Sequence, residues 1–512
     1  MANTVSDNNK RIVKNSMLLY IRMFIIMGIG FYTSRVVLQN LGVVDYGINN
    51  VVAGMVSMFT FLNTTLATGT QRFITFALGE NDLEKSKKTF STAFIVHLGM
   101  ALVLAIVVLI CGLWLMNGHL TIPEDRLDAA YWVFYTAIAT IMLSVTQVPY
   151  MSTLIAHENM KVYAYMAIYD AVAKLVVAFL LIISTVDNLK LYAVLNLVFS
   201  GVGIFIYRIY CKKKYDECNV IWKVDKQLLK SILSFSGWNV LGCAASIFSN
   251  QGVNIILNIF FGPVVNAARG IANQVNNMVI QFVANFQTAA NPQIVKYHAS
   301  GDNNSMISLI INNAKYAGLL MVFVLIPLFV ETPFILKLWL CEFPADAIFF
   351  IRVILIQSLF QTISRPVVMG IHAVGRMKIA NIYTGSNLLL ILPVTWILLK
   401  IGVDLNLVLI INVIPWIIEP LILMKLLDKY ISFPIMKFYT YVYGNIFLIS
   451  FISLAITFFV HETVSGEIVS FFLSCLTSTL VTGILVYTIG LNQQMRNMFN
   501  QNILKIVQKL KQ

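Results

Sequence analysis

The stretch Pro263-Val264-Val265-Asn266-Ala267-Ala268-Arg269-Gly270-Ile271-Ala272-Asn273-Gln274-Val275-Asn276-Asn277-Met278-Val279-Ile280-Gln281 decides how the whole chain reads. Asn266, Arg269, Asn273, Asn277 and Gln281 recur every three or four residues, and Asn285, Thr288 and Asn291 continue the series, so on an α-helix they share one face. A polar group held against lipid costs several kcal/mol. An apolar segment with amides and an arginine along one side is therefore expected to line a water-filled cavity in a membrane protein.

Working outward, the composition places the chain in the membrane class: 58% of its 512 residues are hydrophobic, 12% are charged, and the mean hydropathy is +0.79. Windows of 18 or more mainly apolar residues, each able to cross a hydrocarbon core of roughly 30 Å, occur about fourteen times. They fall near 17–40, 45–78, 89–116, 127–155, 160–186, 189–210, 231–260, 263–299, 307–335, 346–373, 378–400, 405–427, 438–460 and 467–490. The expected fold is all-α, a polytopic integral membrane protein.

The net charge of +13 follows the positive-inside rule and calls for no nucleic acid partner. Lys85, Lys87, Lys88, Lys161, Lys212, Lys213, Lys214, Lys223, Lys226, Lys230, Lys296, Arg376, Lys378, Lys425, Lys429 and Lys437 are all expected in loops on one side of the membrane. The opposite loops hold Glu124, Asp125, Asp128, Asp187, Glu331, Glu342, Asp346, Glu462 and Glu467. Both termini are thus expected in the cytoplasm. The first helix is expected to act as its own insertion signal, because residues 1–15 are polar and no small-residue cleavage site follows.

An internal repeat divides the chain. Leu41-Gly42-Val43-Val44-Asp45-Tyr46-Gly47 opens the second span as Phe261-Gly262-Pro263-Val264-Val265-Asn266 opens the eighth, and Ala156-His157-Glu158 has its counterpart in Ile371-His372-Ala373. The offset, about 215 to 222 residues, equals six spans with their loops, so the halves form a parallel repeat with the substrate site expected between them. The divisions are 1–210 for the first six-helix bundle, 211–230 for a basic linker taken as the hinge, 231–430 for the second bundle, 431–492 for two additional helices and 493–512 for a basic amphipathic tail on the inner membrane surface.

Span seven carries Ser236, Asn239, Cys243, Ser246, Asn250, Asn254 and Asn258 at the same helical spacing, which would equally serve helix packing. Seven cations fall within spans: Arg22, Arg35, Arg72, Lys174, Arg269, Arg352 and Arg365. Each costs roughly 2.5–3.5 kcal/mol on insertion scales and so needs a partner or a role. Lys174 stands four residues after Asp170, a spacing at which the pair would neutralise itself. The acids within spans are Asp45, Asp170 and Glu419, and Glu419 is expected either to couple an ion or to pair with Arg352 or Arg365. A cavity with this balance is positive and suits an anion, since arginine forks bind phosphate oxygens in pairs. Gly28, Gly30, Pro149, Pro292, Pro327, Pro366, Pro393, Pro415 and Pro420 are candidate kinks.

Enzyme signatures are missing. The chain has no Walker sequence and no GxSxG elbow, its six cysteines form no CxxC pair, and its histidines lack metal spacing, so no cofactor and no metal site are expected.

The pattern Leu19-Tyr20-Ile21-Arg22-Met23, then Thr33-Ser34-Arg35-Val36-Val37-Leu38-Gln39-Asn40-Leu41-Gly42-Val43-Val44-Asp45-Tyr46-Gly47-Ile48, then Gln71-Arg72-Phe73, resembles the N-terminal region of the oligosaccharide and polysaccharide flippases. These belong to the multidrug, oligosaccharidyl-lipid and polysaccharide exporter superfamily. The resemblance covers nearly the whole chain and implies translocation of an undecaprenyl-diphosphate-linked oligosaccharide between leaflets of the bacterial inner membrane by alternating access, for O-antigen, capsule or exopolysaccharide synthesis. It implies membrane lipid and the polysaccharide polymerase machinery as partners, and coupling to protons or sodium through Asp45, Asp170 or Glu419. The residues it points to for the diphosphate are Arg22, Arg35, Arg72 and Arg269, with Asp45 as a partner for the arginines; Arg365 and the stripe amides Asn250, Asn254, Asn273 and Asn277 are expected, from their own placement in the spans, to line the same cavity for diphosphate and sugars. A multidrug or cation antiporter of the same superfamily, a peptidoglycan precursor flippase and a membrane polysaccharide polymerase remain as alternatives.

Overall fold

The structure is a computed structural model. It describes the chain except residues 1, 61–69, 72, 76, 79–81, 158, 223, 289, 494, 498–499 and 501–512, and except the side chains of 2–26, 60, 160, 161, 163, 164, 231–244, 246, 285, 288, 292 and 377. The tail expected to be amphipathic therefore lies mostly outside the described residues.

Among the described residues the chain is helical without strands. Among them, ten helices are long and apolar enough to cross a membrane, and the described residues of the windows at the chain's start and around 231–299 are also mostly helical. Side chains such as Leu102, Ile106, Ile110 and Trp114 on α2 (Leu83–Met116) and Phe451, Phe458 and Phe459 on α17 (Asn445–Thr463) are exposed and apolar, as lipid-facing surface must be. This is a multi-pass membrane protein.

The first two spans are not separated by a loop. Helix α1 (Ala2–Ser57) runs from the first into the start of the second and leaves helical geometry at Gly42, where φ is 75° and ψ is 169°. Gly262, between α6 (Lys226–Phe261) and α7 (Pro263–Thr288), has φ 75° and ψ −171°. The two motifs matched by sequence thus adopt one backbone conformation, in a region that a side chain makes costly and glycine enters freely.

The described chain packs as two compact units, Met1–Ala267 and Ala268–Gln512. This packing division falls later than the linker read at 211–230; one reports which helices touch, the other which sequences match. The linker is tied down. Its Ile221 N–H donates to the Ser91 hydroxyl at 2.8 Å, its Asp225 N–H donates to the Thr92 hydroxyl at 3.1 Å, and Glu217 pairs with His157.

In the first unit, α3 (Leu127–Ala156) packs against α2, α4 (Met160–Ile182) and α5 (Asn188–Lys214). Ile48, Val51 and Met55 of α1 meet Val108 of α2 and Val133, Phe134 and Val145 of α3 in one buried cluster. In the second unit, α9 (Asn303–Val330) packs on α11 (Asp346–Ala373), which packs on α15 (Ile414–Ile431). Several expected spans are broken. Pro292 starts a new helix, α8 (Asn291–Ala299), Pro333 starts α10 (Thr332–Leu340), and Pro415 starts α15, each where the missing proline N–H is harmless. The eleventh span likewise divides into α12 (Met377–Leu389) and α13 (Ile391–Lys400), and α14 (Leu405–Ile411) precedes α15.

The last two spans dock on the second unit by several devices. A short helix, α16 (Ile435–Phe438), leads through a π-helical turn into α17. Ser453 and Thr457 of α17 and Ser470, Ser474, Ser478 and Thr482 of α18 (Glu467–Leu485) are buried. The four on α18 recur every fourth residue, the spacing that lets two membrane helices approach closely. His461 pairs with Glu331 at 2.8 Å, and Lys337 pairs with Glu467 at 2.7 Å.

Candidate functional site

Asp45 was expected to pair with the arginines of the spans; it pairs instead with Arg126, in the turn Glu124–Arg126 ahead of α3. Arg126 Nε donates to Asp45 Oδ1 at 2.8 Å and its Nη2 also reaches the Asp45 carboxylate, while Nη1 donates to Asp187 Oδ2 at 2.8 Å. Asp187 caps α5 as well, accepting from the N–H groups of Leu189 and Lys190 at 3.0 and 3.1 Å. Burial raises the Asp187 carboxyl, but the Lys190 N–H, the Arg126 guanidinium and the Leu189 N–H together hold it below the usual carboxylate value. One guanidinium therefore joins α1, α3 and α5. Asp45 held the clue, since an acid inside an apolar segment demands a cation and none of the seven intramembrane cations was fixed to it.

A second correction concerns the amides where α6 meets α7. Asn254, Asn258 and Asn266 are buried. Asn266 Nδ2 donates to the Asn254 backbone and side-chain oxygens, each at 2.7 Å, and Asn258 Nδ2 donates to Asn266 Oδ1 at 2.8 Å. Asn254 Nδ2 reaches the Asn50 carbonyl at 3.1 Å, and Asn258 Oδ1 accepts from the Thr121 N–H at 2.8 Å. The polar groups satisfy one another, so this end of the stripe knits helices together. Further along α7 the stripe opens: Asn273 is partly buried, and Asn277 and Gln281 are exposed.

The other expected site residues are spread over both units. Arg35 is half-buried, Asn250 is exposed, and Arg269 is 9% exposed on the first turns of α7. The Arg22 side chain and all of Arg72 lie outside the described residues. Arg365 is half-buried, immediately before Pro366 in α11. Among the described residues neither Arg365 nor Glu419 of α15 forms an ion pair. The expected pairing of Glu419 with Arg352 or Arg365 is not made: Arg352 Nε donates to the Phe329 carbonyl at 3.0 Å and its guanidinium lies 5.4 Å from the Phe329 ring. Asp170 and Lys174 also form no ion pair, and both line one cavity.

Sequence reasoning overlooked two further cations in spans. Lys315 of α9 is 2% exposed with Nζ 3.7 Å from the centroid of Tyr441, and Arg208 of α5 donates to Thr146 and lies 5.6 Å from the ring of Tyr150. Aromatic faces and hydroxyls take the place of acids for both. Among the described residues no group of three His, Cys, Asp or Glu is placed to hold a metal ion.

No protein family model matches the chain, and no curated protein sequence does. Solved structures match over nearly its full length. A lipid II flippase MurJ in an inward closed conformation superposes with a TM-score of 0.72 at 15% identity, covering 92% of this chain and 98% of that one. An inward-facing multidrug resistance MATE family transporter of the MOP superfamily gives 0.62 at 15% identity, covering 81% and 94%. A MOP superfamily transporter from Pyrococcus furiosus, described as having a binding pocket of reverse polarity, gives 0.60 at 15% identity, covering 81% and 95%. The chain has the MOP superfamily fold. Within that fold, this chain carries glycine kinks at Gly42 and Gly262 and an α7 polar along one side.

Proposed function

We propose that this MOP-fold protein is a flippase that carries a polyprenyl-diphosphate-linked oligosaccharide from the cytoplasmic to the external leaflet of the bacterial inner membrane, by alternating access. The observation that supports it is the charge balance of the spans. Arg126 forks Asp45, and among the described residues Arg365 forms no ion pair, so an arginine inside α11 calls for an anion. A diphosphate meets that demand with oxygens that guanidinium forks bind in pairs. Arg35, Arg269 and Arg365, with Arg22 and Arg72, are assigned to the diphosphate, and Asn250, Asn273 and Asn277 to the glycan. Glu419 is assigned to proton or sodium coupling, because it lies within a span and no cation among the described residues pairs with it.

A drug or cation antiporter is the second reading. The likeness to multidrug MATE transporters and the unpaired Glu419 favour it. The test is a leaflet assay in a deletion strain, asking whether a lipid-linked oligosaccharide becomes accessible to an enzyme added from outside. Accumulation on the cytoplasmic side, relieved by restoring the gene, is the expected result. Unchanged glycolipids with altered drug sensitivity would overturn the proposal in favour of the antiporter, and lysis of the deletion strain would move the substrate to the peptidoglycan precursor.

A further inference from the structure

Two adjoining cavities are lined by helices of the first unit. The larger, about 440 Å³, is bounded by α3, α4 and α5 and lined by Gln147, Asp170, Lys174, Asn196, Phe199 and Tyr207. The smaller, about 340 Å³, extends past Thr140 and Thr136 of α3 to Asn49 of α1. Ser144 and Asn196 stand in the walls of both, so the two adjoin. Thr136, Thr140, Ser144 and Gln147 form a polar line along one face of α3, at the three- and four-residue spacing of a helix.

The larger cavity has a rim and a floor. Asp170 and Lys174, one turn apart on α4, are exposed at the rim and form no ion pair. At the floor, the amide oxygen and amide nitrogen of Gln147 are buried and make no hydrogen bond within the protein. A buried amide left unmade in both directions is costly, so the floor calls for a group that accepts and donates at once. The rim adds an acceptor in Asp170 and a donor in Lys174. Phe199 and Tyr207 supply apolar ring surface on the same wall.

These features separate the ligand classes. A cation cage draws its oxygens to about 2.3–2.6 Å around the ion, far tighter than this space, and Lys174 repels a cation. An anion would meet Asp170. The size falls in the ordinary range of small-molecule sites, roughly 300–1,000 Å³. A neutral ring bearing hydroxyls satisfies the whole set: its hydroxyls donate to Asp170 and Gln147 and accept from Lys174 and Gln147, and its C–H face lies on the aromatic rings.

We infer that this cavity is a sugar subsite, which binds one pyranose of the glycan during transport. The identity of the ligand rests on the flippase reading; the cavity's demand for a neutral, hydroxyl-rich ring does not. It also moves Asp170 from ion coupling to glycan recognition.

The experiment uses the full chain purified in a polyoxyethylene detergent, which carries no sugar. Binding is compared between undecaprenyl diphosphate and the same carrier bearing glucose, galactose, N-acetylglucosamine or N-acetylgalactosamine. At least one glycosylated probe should bind ten-fold or more tightly than the bare carrier, and in Gln147→Leu and in Asp170→Asn that ratio should fall to about one. A ratio that survives both substitutions overturns the subsite, as does a wild-type ratio of one for every sugar while the bare carrier still binds; the flippase reading stands in both cases. If neither bare nor glycosylated carrier binds, the flippase reading fails and takes the sugar assignment with it. Sodium stabilising the wild type but not Asp170→Asn would make the cavity an ion site and overturn the inference. The two variants sit on different helices, so misfolding of one leaves the other to decide.

Discussion

The backbone carbonyl oxygen of Pro263 lies 1.8 Å from where a Cβ on Gly47 would stand, and the carbonyl carbon of Pro263 lies 2.6 Å from it. Helix α1 and the start of α7 therefore touch backbone to backbone, an approach open only to a residue without a side chain. Both residues belong to the matched motifs that open the second and eighth spans. Gly47→Ala must displace main chain, since no flexible side chain is there to yield. The expected destabilisation is about 1–3 kcal/mol, at the upper end of that range. Gly42→Ala, with open space around its Cβ but φ at 75°, should cost about 1–2 kcal/mol through backbone strain alone. Thermal unfolding in detergent ranks the two, and an unchanged midpoint for Gly47→Ala would disprove the close approach.

The Arg126–Asp187 contact predicts an acid-sensitive first unit. The folded state holds the Asp187 carboxyl below its ordinary value, so it favours the ionised form. That contribution is complete above the unfolded pKa of about 3.9 and is lost as the pH falls through the folded value. The unfolding midpoint of the wild type should therefore drop more steeply below about pH 4 than that of Asp187→Asn. At pH 7 the substitution should cost about 1 kcal/mol or less, because the pair is partly exposed. Parallel pH profiles for the two proteins would refute the assignment.

Thiol reactivity separates two cysteines outside the spans. The Cys211 thiol beside it and burial both push the Cys218 thiol pKa up, whereas Cys341 is exposed. The thiolate is the reactive form, so at pH 8 a water-soluble maleimide should label Cys341 in the folded protein and Cys218 only after denaturation. Rapid labelling of Cys218 in folded protein would show that the linker is not held down as described.

Arg365 tests the charge argument within the spans. Arg365→Gln should lower translocation of the lipid-linked oligosaccharide at least tenfold, corresponding to about 1.4 kcal/mol or more, without loss of membrane expression. Arg365→Lys should recover part of it, because a point charge attracts phosphate but cannot fork it. The leaflet assay measures both, and full transport by Arg365→Gln and Arg269→Gln together would remove the basis for an anionic substrate.

Much of the architecture was legible in the chain because lipid enforces simple rules. An apolar window of sufficient length must become a helix, since no other local structure satisfies its backbone in hydrocarbon. The loop charges and the repeated Leu41-Gly42 and Phe261-Gly262 follow from equally local causes. The helix breaks at Pro292 and Pro415 were partly legible, as proline ends a helix but does not say whether the span bends or restarts, and the break at Pro333 was not foreseen.

Partnership was not legible. Helical spacing placed Asn254, Asn258 and Asn266 on polar faces, yet it could not say that they would face one another across the α6–α7 elbow. Nor could it place Arg126, Asp45 and Asp187 together, or leave Gln147 facing a cavity beside Asp170. The sequence by itself determined which segments cross the membrane and which of their faces are polar, because those properties depend on residues a few positions apart. Which polar groups satisfy each other and which are left for a ligand follows from packing, because hydrogen bonds and ion pairs form at about 3 Å between residues as far apart in the chain as Thr121 and Asn258.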